Sequence, residues 1–170
     1  VSGHEGMKLY LDGILIGKHE HAGSFARMKK SAQNYLGKSA WSEDAYFPGQ
    51  MDEIRVWDHA RNLAQIRTNM FATLTGREPG LVGYWNFDDP AQPGRDLSAG
   101  AHPAAFNGSA TVVDGERPDV EMTAPRYGRV LDLDGKGSFV ELPATLTAGL
   151  SEPTVEGWVK WDKMANWPGF

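Results

Sequence analysis

Cysteine is absent from this 170-residue chain, which excludes a disulfide framework, a thiol nucleophile and any thiolate-held zinc or iron–sulfur site. Basic charge is scarce too: 17 Lys plus Arg stand against 22 Asp plus Glu, a formal net charge of −5. Without basic runs the chain lacks the phosphate-neutralising charge from which nucleic-acid binding draws most of its affinity, and anionic membrane surfaces repel it. No run approaches the roughly 18 consecutive apolar residues of a spanning helix, so insertion into a membrane is not expected. The sequence opens at Val1 with neither an initiator Met nor a charged-then-apolar leader. A targeting segment is therefore expected to have been removed or to lie outside this stretch. What is present suffices for a packed core, because 41% of residues are hydrophobic and the aromatics comprise 6 Trp, 5 Tyr and 7 Phe. The 20 Gly and 10 Pro stay below the level of low-complexity sequence and point to a folded, turn-rich protein.

Period-two patterning dominates. Lys8 to Gly17 reads as two strands joined by Asp12-Gly13, a pair suited to a type I′ turn. With a two-residue loop, Leu11 faces Ile14 and Leu9 faces Ile16, while Tyr10 and Leu15 share the other side; both faces are apolar, so the hairpin is expected to be covered on both. Further strands are predicted at Asn34–Lys38, Gln50–Trp57, Leu81–Phe87, Arg129–Leu133, Phe139–Leu142 and Thr154–Trp161. In Gln50–Trp57, Ile54 and Val56 point one way with Asp52, and Glu53, Arg55 and Trp57 the other. One helix is predicted within Asn62–Thr73: Asn62 is the N-cap, Gln65 completes a capping box, Leu63, Ile66 and Met70 form the apolar stripe, and Gly76 stands as the C-cap glycine. From Asp89 to Ala110 the chain is rich in Gly, Pro, Ala, Asp and Ser and reads as an irregular loop with at most one short strand. Many short strands and a single helix make the class all-β, an antiparallel β-sandwich.

Six motifs carry a resemblance. Leu9-Tyr10-Leu11-Asp12-Gly13, Tyr35-Leu36-Gly37 and Gly49-Gln50-Met51-Asp52-Glu53-Ile54-Arg55-Val56-Trp57 resemble the C-terminal half of a LamG-like jelly roll of the concanavalin A-like lectin/glucanase superfamily. Gly80-Leu81-Val82-Gly83-Tyr84-Trp85-Asn86-Phe87-Asp88 with Asp96-Leu97-Ser98, Leu131-Asp132-Leu133-Asp134-Gly135 and Thr154-Val155-Glu156-Gly157-Trp158-Val159-Lys160 resemble the beginning of one. The closing half comes first. Residues 1–78 therefore resemble the end of one module and 79–170 the start of the following one, in a tandem array or in a permuted single sandwich. The family's central strands are missing from both halves, so 1–78 and 79–170 are not expected to close one ordinary sandwich between them.

The resemblance implies carbohydrate binding or adhesion, and it raises the question of catalysis because the superfamily includes glucanases. Their Glu-x-Asp-x-x-Glu strand of paired carboxylates has no counterpart here. The nearest pair, Asp119 and Glu121, stands between Pro118 and Pro125. No His-Glu-x-x-His arrangement or nucleophile elbow accompanies the five His, and the chain is not expected to be an enzyme. His19 and His21 are two apart and could share a strand face as metal ligands, but nothing supplies a third. The resemblance implies a structural Ca²⁺ held by Asp52 with backbone carbonyls near Asp88 and Gly135, a hard-oxygen set that suits this ion. Trp57, Trp85 and Trp158 are expected to pack in the sheets, whereas Trp41 and Tyr46, in a loop, and Trp167 are freer to meet a ligand. The expected function is that of a non-catalytic extracellular or cell-surface recognition module for glycan or protein, within a larger multidomain protein. The alternatives are a structural spacer or assembly subunit that contacts neighbouring modules or chains, and an accessory module of a hydrolase.

Overall fold

The computed structural model describes residues 1–22, 24–27, 33–115 and 128–162. Eleven strands and one α-helix follow in chain order: β1 Ser2–Gly3, β2 Gly6–Leu11, β3 Ile14–His19, β4 Asn34–Leu36, β5 Pro48–Trp57, α1 Leu63–Asn69, β6 Leu81–Trp85, β7 Ala105–Asn107, β8 Thr111–Asp114, β9 Arg129–Asp134, β10 Phe139–Leu142 and β11 Thr154–Trp161. All pairings among them are antiparallel. They form three sheets, β1-β2-β3, β4-β10-β7 and β11-β5-β9-β8, and β6 also pairs with β5. The second and third sheets enclose the main core, where Ile54, Val56, Trp85, Phe87, Leu131 and Leu133 meet Val140 and Leu142. Trp57, Leu74, Leu81 and Tyr84 make a smaller cluster. Among the described residues this is an all-β antiparallel sandwich with one short α-helix.

The central strand corrects one expectation. Residues 1–78 and 79–170 do share a sheet: β5, from the first segment, pairs with β11 along one edge and with β9 and then β6 along the other, all three from the second segment. An unpaired strand edge is unfavourable, and β5 finds partners for both of its edges inside this chain. The partner on one side changes partway, from β9 opposite Pro48–Met51 to β6 opposite Ile54–Trp57. At that gap Glu53 has φ 52°, and β5 gains one residue relative to β11 between Asp52↔Trp158 and Arg55↔Glu156. This is a bulge with its first residue left-handed, a device that re-aims the neighbouring side chains.

The hairpin forms as expected around Asp12 (φ 49°) and Gly13 (φ 68°), both positive as a type I′ turn requires. Its register differs: Leu11 faces Ile14, but a bulge after Tyr10↔Leu15 sets Leu9 opposite Gly17 and not Ile16. Nor is it covered on both sides, because Leu9, Leu11, Ile14 and Ile16 all remain exposed among the described residues. Hydrogen bonds that tie this sheet to the rest include Ser2 N–H to Pro153 O (2.9 Å), His4 N–H to Glu152 Oε1 (2.8 Å) and Arg67 Nε–H to Gly13 O (2.9 Å).

The capping box at Asn62 and Gln65 is present with both reciprocal hydrogen bonds. Helix α1, however, ends at Asn69 with Met70 still right-handed, so Gly76 is not its cap. Gly76 instead takes φ 82° in a turn against the Leu97 carbonyl oxygen, which lies 2.0 Å from where a Cβ would stand. Gly76→Ala is expected to cost about 1–3 kcal/mol through this strain and clash, measurable as a lowered urea midpoint with unchanged slope; an unchanged midpoint would show that the Leu97 segment yields freely.

Candidate functional site

Two places gather functional groups. The first is a groove of about 490 Å³ between the hairpin and the β11–β5 surface, lined among others by Lys8, Tyr10, Asp12, Met70, Trp158 and Trp161. Strand β2 supplies one wall: Lys8 and Tyr10 are half-buried there, and the more exposed Leu9 and Leu11 line the groove as well. Trp158 is fixed, its indole N–H donating to Met70 O at 3.2 Å and its ring packing on Phe71 at 5.4 Å. Trp161 is 51% exposed and leans on Phe47, centroids 5.6 Å apart.

Glu53 and Arg55 also line the groove, and both are buried. Arg55 Nη2 donates to Glu53 Oε2 at 2.5 Å and to Ala72 O at 2.6 Å, and Nη1 donates to Asn69 O at 2.7 Å. Tyr84 completes the set by donating its hydroxyl to both Glu53 oxygens at 2.9 Å. Burial and then the adjacent Glu53 charge raise the Tyr84 phenol above its ordinary range, which keeps it a donor. Beside this network Arg61 binds both Glu156 oxygens at 2.6 and 2.7 Å and covers Trp57 with its guanidinium 4.0 Å from the ring centroid. That assembly clamps the start of α1 to β11.

The second place is the β5 bulge. Asp52 is buried and accepts a 2.7 Å hydrogen bond from the Glu53 backbone N–H. Burial is the main reason its carboxyl is pushed up to about 8; the nearby Glu53 and Asp88 charges add to the rise, while the Glu53 N–H opposes it. Asp88 follows β6 and reaches the start of β9, where its Oδ1 accepts from Arg129 N–H at 2.8 Å and its Oδ2 from Asn86 at 3.1 Å. Gly128 allows that approach, because a Cβ there would lie 2.1 Å from Asp88 Oδ1.

Of the three residues expected around Ca²⁺, Asp52 and Asp88 lie within range of each other's charge, while Gly135 stands apart from Asp52. Gly135 packs against Pro48, four positions up β5 from Asp52, on the order of 13 Å away at strand spacing. Its neighbour Asp134 is engaged within its own turn by Ser138 and the Lys136 N–H, and by Ser109. Among the described residues no three His, Asp or Glu side chains gather as a metal site, so a cation here needs backbone oxygens or water besides the two carboxylates. A buried carboxyl with one backbone donor and a second carboxylate charge nearby has the hard-oxygen chemistry with which a cation would offset the cost of its charge.

Trp41 is 75% exposed, whereas Tyr46 packs on Phe139 at 6.2 Å. Their loop ends at Phe47, the residue under Trp161. Trp57 and Trp85 are buried. His19 Nδ1 accepts from His21 N–H at 3.0 Å. Asp119, Glu121 and Trp167 lie outside the described residues. That Tyr10 and Trp161 line one groove was not recognisable beforehand, since they do so only when the hairpin lies over β11.

No helix among the described residues is long and apolar enough to cross a membrane. No curated protein and no solved structure matches the chain. Residues 1–67, which run from the hairpin through β5 into α1, match the Laminin_G_3 family model and so carry the signature of the concanavalin A-like lectin/glucanases superfamily.

Proposed function

We propose that this chain is a non-catalytic recognition module that binds glycan or protein, working at the cell surface or outside the cell as part of a larger multidomain protein. The observation that supports the reading is the groove, where Tyr10, Trp158 and Trp161 converge with Lys8 and Asp12 in an open cleft of ligand size. Aromatic faces suit sugar rings, and a polar wall orients hydroxyls. Asp52 and Asp88 would hold Ca²⁺ as a structural ion with carbonyl or water oxygens, and the ion's part is to neutralise buried charge between β5, β6 and β9. Joining a closing half to an opening half through α1 is consistent with one permuted sandwich, because β5 pairs with β6, β9 and β11.

Affinity electrophoresis in gels cast with neutral soluble polysaccharides, alongside a glycan array, tests the reading. Retardation is expected for the native chain, and Trp161→Ala or Tyr10→Ala should weaken it about tenfold, the equivalent of a lost aromatic contact of about 1.4 kcal/mol. Absence of retardation and of array signal overturns glycan binding in the groove. A second reading, an assembly subunit, draws support from the exposed apolar side of the hairpin.

A further inference from the structure

Strand β11 is an edge: among the described residues it pairs with β5 alone. Two contacts at its ends fix which backbone groups face outward. Asp162 N–H donates to Pro48 O on the β5 side (3.2 Å), and Pro153 O accepts from Ser2 N–H on the opposite side (2.9 Å). Backbone groups alternate between the two edges of a strand, so Val155, Gly157, Val159 and Trp161 turn their N–H and C=O away from β5. All four line the groove. The facing wall is built alike. Lys8 exchanges two hydrogen bonds with Val1, at 2.8 and 3.0 Å, and the same alternation turns the Tyr10 backbone to that edge of β2, past the end of the two-residue β1. We infer that the groove takes an extended polypeptide segment of a protein partner, which inserts as a strand between β2 and β11 and runs antiparallel to both.

Strand β1 sets the precedent for this occupant. Ser2 stands opposite Met7 of β2 while its N–H reaches Pro153 O, so at this end of the groove one strand already bridges the two walls. The walls then run on in the same direction, β2 to Gly13 and β11 to Trp158, and Met70 meets both: its sulfur lies 3.6 Å from where a Gly13 Cβ would stand, and its carbonyl oxygen 3.2 Å from the Trp158 indole nitrogen. A segment in line with β1 is therefore antiparallel to both walls. It meets donors and acceptors at strand spacing on either side, a repeat that a polypeptide backbone matches and a sugar chain does not. Its side chains are specified as well. Val155, Val159 and Trp161 are exposed on one face of β11, and Trp158 with Met70 lines the groove on the other, so apolar residues gain cover on both faces of the inserted strand. The inference rests on the groove being the binding site and deepens that reading by naming the partner: an extended, β-branched, largely apolar segment.

Titration calorimetry of the full chain with an acetylated, amidated peptide of alternating valine and threonine, flanked by lysines for solubility, tests it. Saturable one-to-one binding is expected. N-methylation of either alternate set of peptide amides should weaken it at least about tenfold, because one set donates to β2 and the other to β11. Val159→Pro removes an outward donor and leaves the pairing with β5 in place; it should weaken binding about tenfold with an unchanged circular dichroism spectrum. Should that variant disturb the fold, the methylated peptides carry the test on the native chain unaided. Absence of peptide binding overturns the inference, as does binding that neither methylation weakens, which would be apolar contact without strand pairing. The polysaccharide gels keep the two readings distinguishable. A chain retarded in the gels but without affinity for the peptide loses this inference and keeps glycan binding, whereas peptide binding without retardation supports the inference and makes the groove a protein site.

Discussion

Replacing Arg55 by methionine is expected to lower the unfolding free energy by about 3–5 kcal/mol. Its guanidinium is buried and satisfies three acceptors, Glu53, Asn69 O and Ala72 O. Methionine fills much of the volume, so the loss is chiefly electrostatic. The Glu53 carboxylate stays buried with only the Tyr84 hydroxyl, Ala72 O loses the Arg55 donor, and Asn69 O keeps only the Ala72 N–H. Glu53 cannot easily turn away, because its backbone sits at φ 52° within the bulge. The double variant Glu53→Gln with Arg55→Met should be less destabilised than the sum of the single changes, since glutamine removes the stranded charge. Urea unfolding of the four proteins measures this, with equal slopes as the check that the unfolded state is unchanged. A loss below about 1 kcal/mol for Arg55→Met would mean that water reaches Glu53 and that the network is not sealed.

Local chemistry was legible in the sequence wherever neighbours along the chain decide the outcome. Asp12-Gly13 set its turn, Asn62 and Gln65 set their cap, and β10 and β11 fell where alternation placed them. Three features depended on distant partners and could not be read locally. The helix was expected within Asn62–Thr73 with Gly76 as its cap, but the carbonyls of Asn69 and Ala72 are taken by Arg55, and the chain leaves the helix there. Leu9 was expected opposite Ile16, but the register carries an irregularity that hydrophobic pattern alone does not encode, because Leu9, Gly17 and Ile16 are equally compatible with an apolar face. The Asp52–Glu53 bulge arises where β5 changes partner from β9 to β6, an arrangement fixed by residues some 30 to 80 positions later. That same long-range placement brings the Asp88 charge within range of Asp52 and sets Gly135 just past the far end of β9. It also assembles the groove, whose walls come from opposite ends of the chain.

Asp52 is expected to give the chain an unusual dependence of stability on pH, reversible by calcium. In the unfolded chain this carboxyl ionises near its ordinary 3.8, while in the folded chain it does so at about 8. Between those values the folded state holds a proton that the unfolded state has lost, so stability falls as pH rises, by about 1.4 kcal/mol per unit at most, and levels off above about pH 8. Other carboxylates contribute slopes of their own. The difference between the native chain and Asp52→Asn isolates this one, because asparagine keeps an acceptor for the Glu53 N–H and carries no charge. In chelator, Asp52→Asn should therefore become progressively the more stable protein from about pH 4 to pH 8. A cation would replace the proton: with the Asp88 charge within range of Asp52, calcium bound only by the folded state would add roughly 2.7 kcal/mol at a hundredfold excess over its dissociation constant. Millimolar calcium should raise the melting temperature of the native chain at pH 8, act weakly at pH 5 where the proton already occupies the site, and leave Asp52→Asn unmoved. Identical melting in chelator and calcium at pH 8 would reject the cation site, and a native-minus-Asp52→Asn difference that stays flat from pH 4 to pH 8 would show that water already reaches the Asp52 carboxyl.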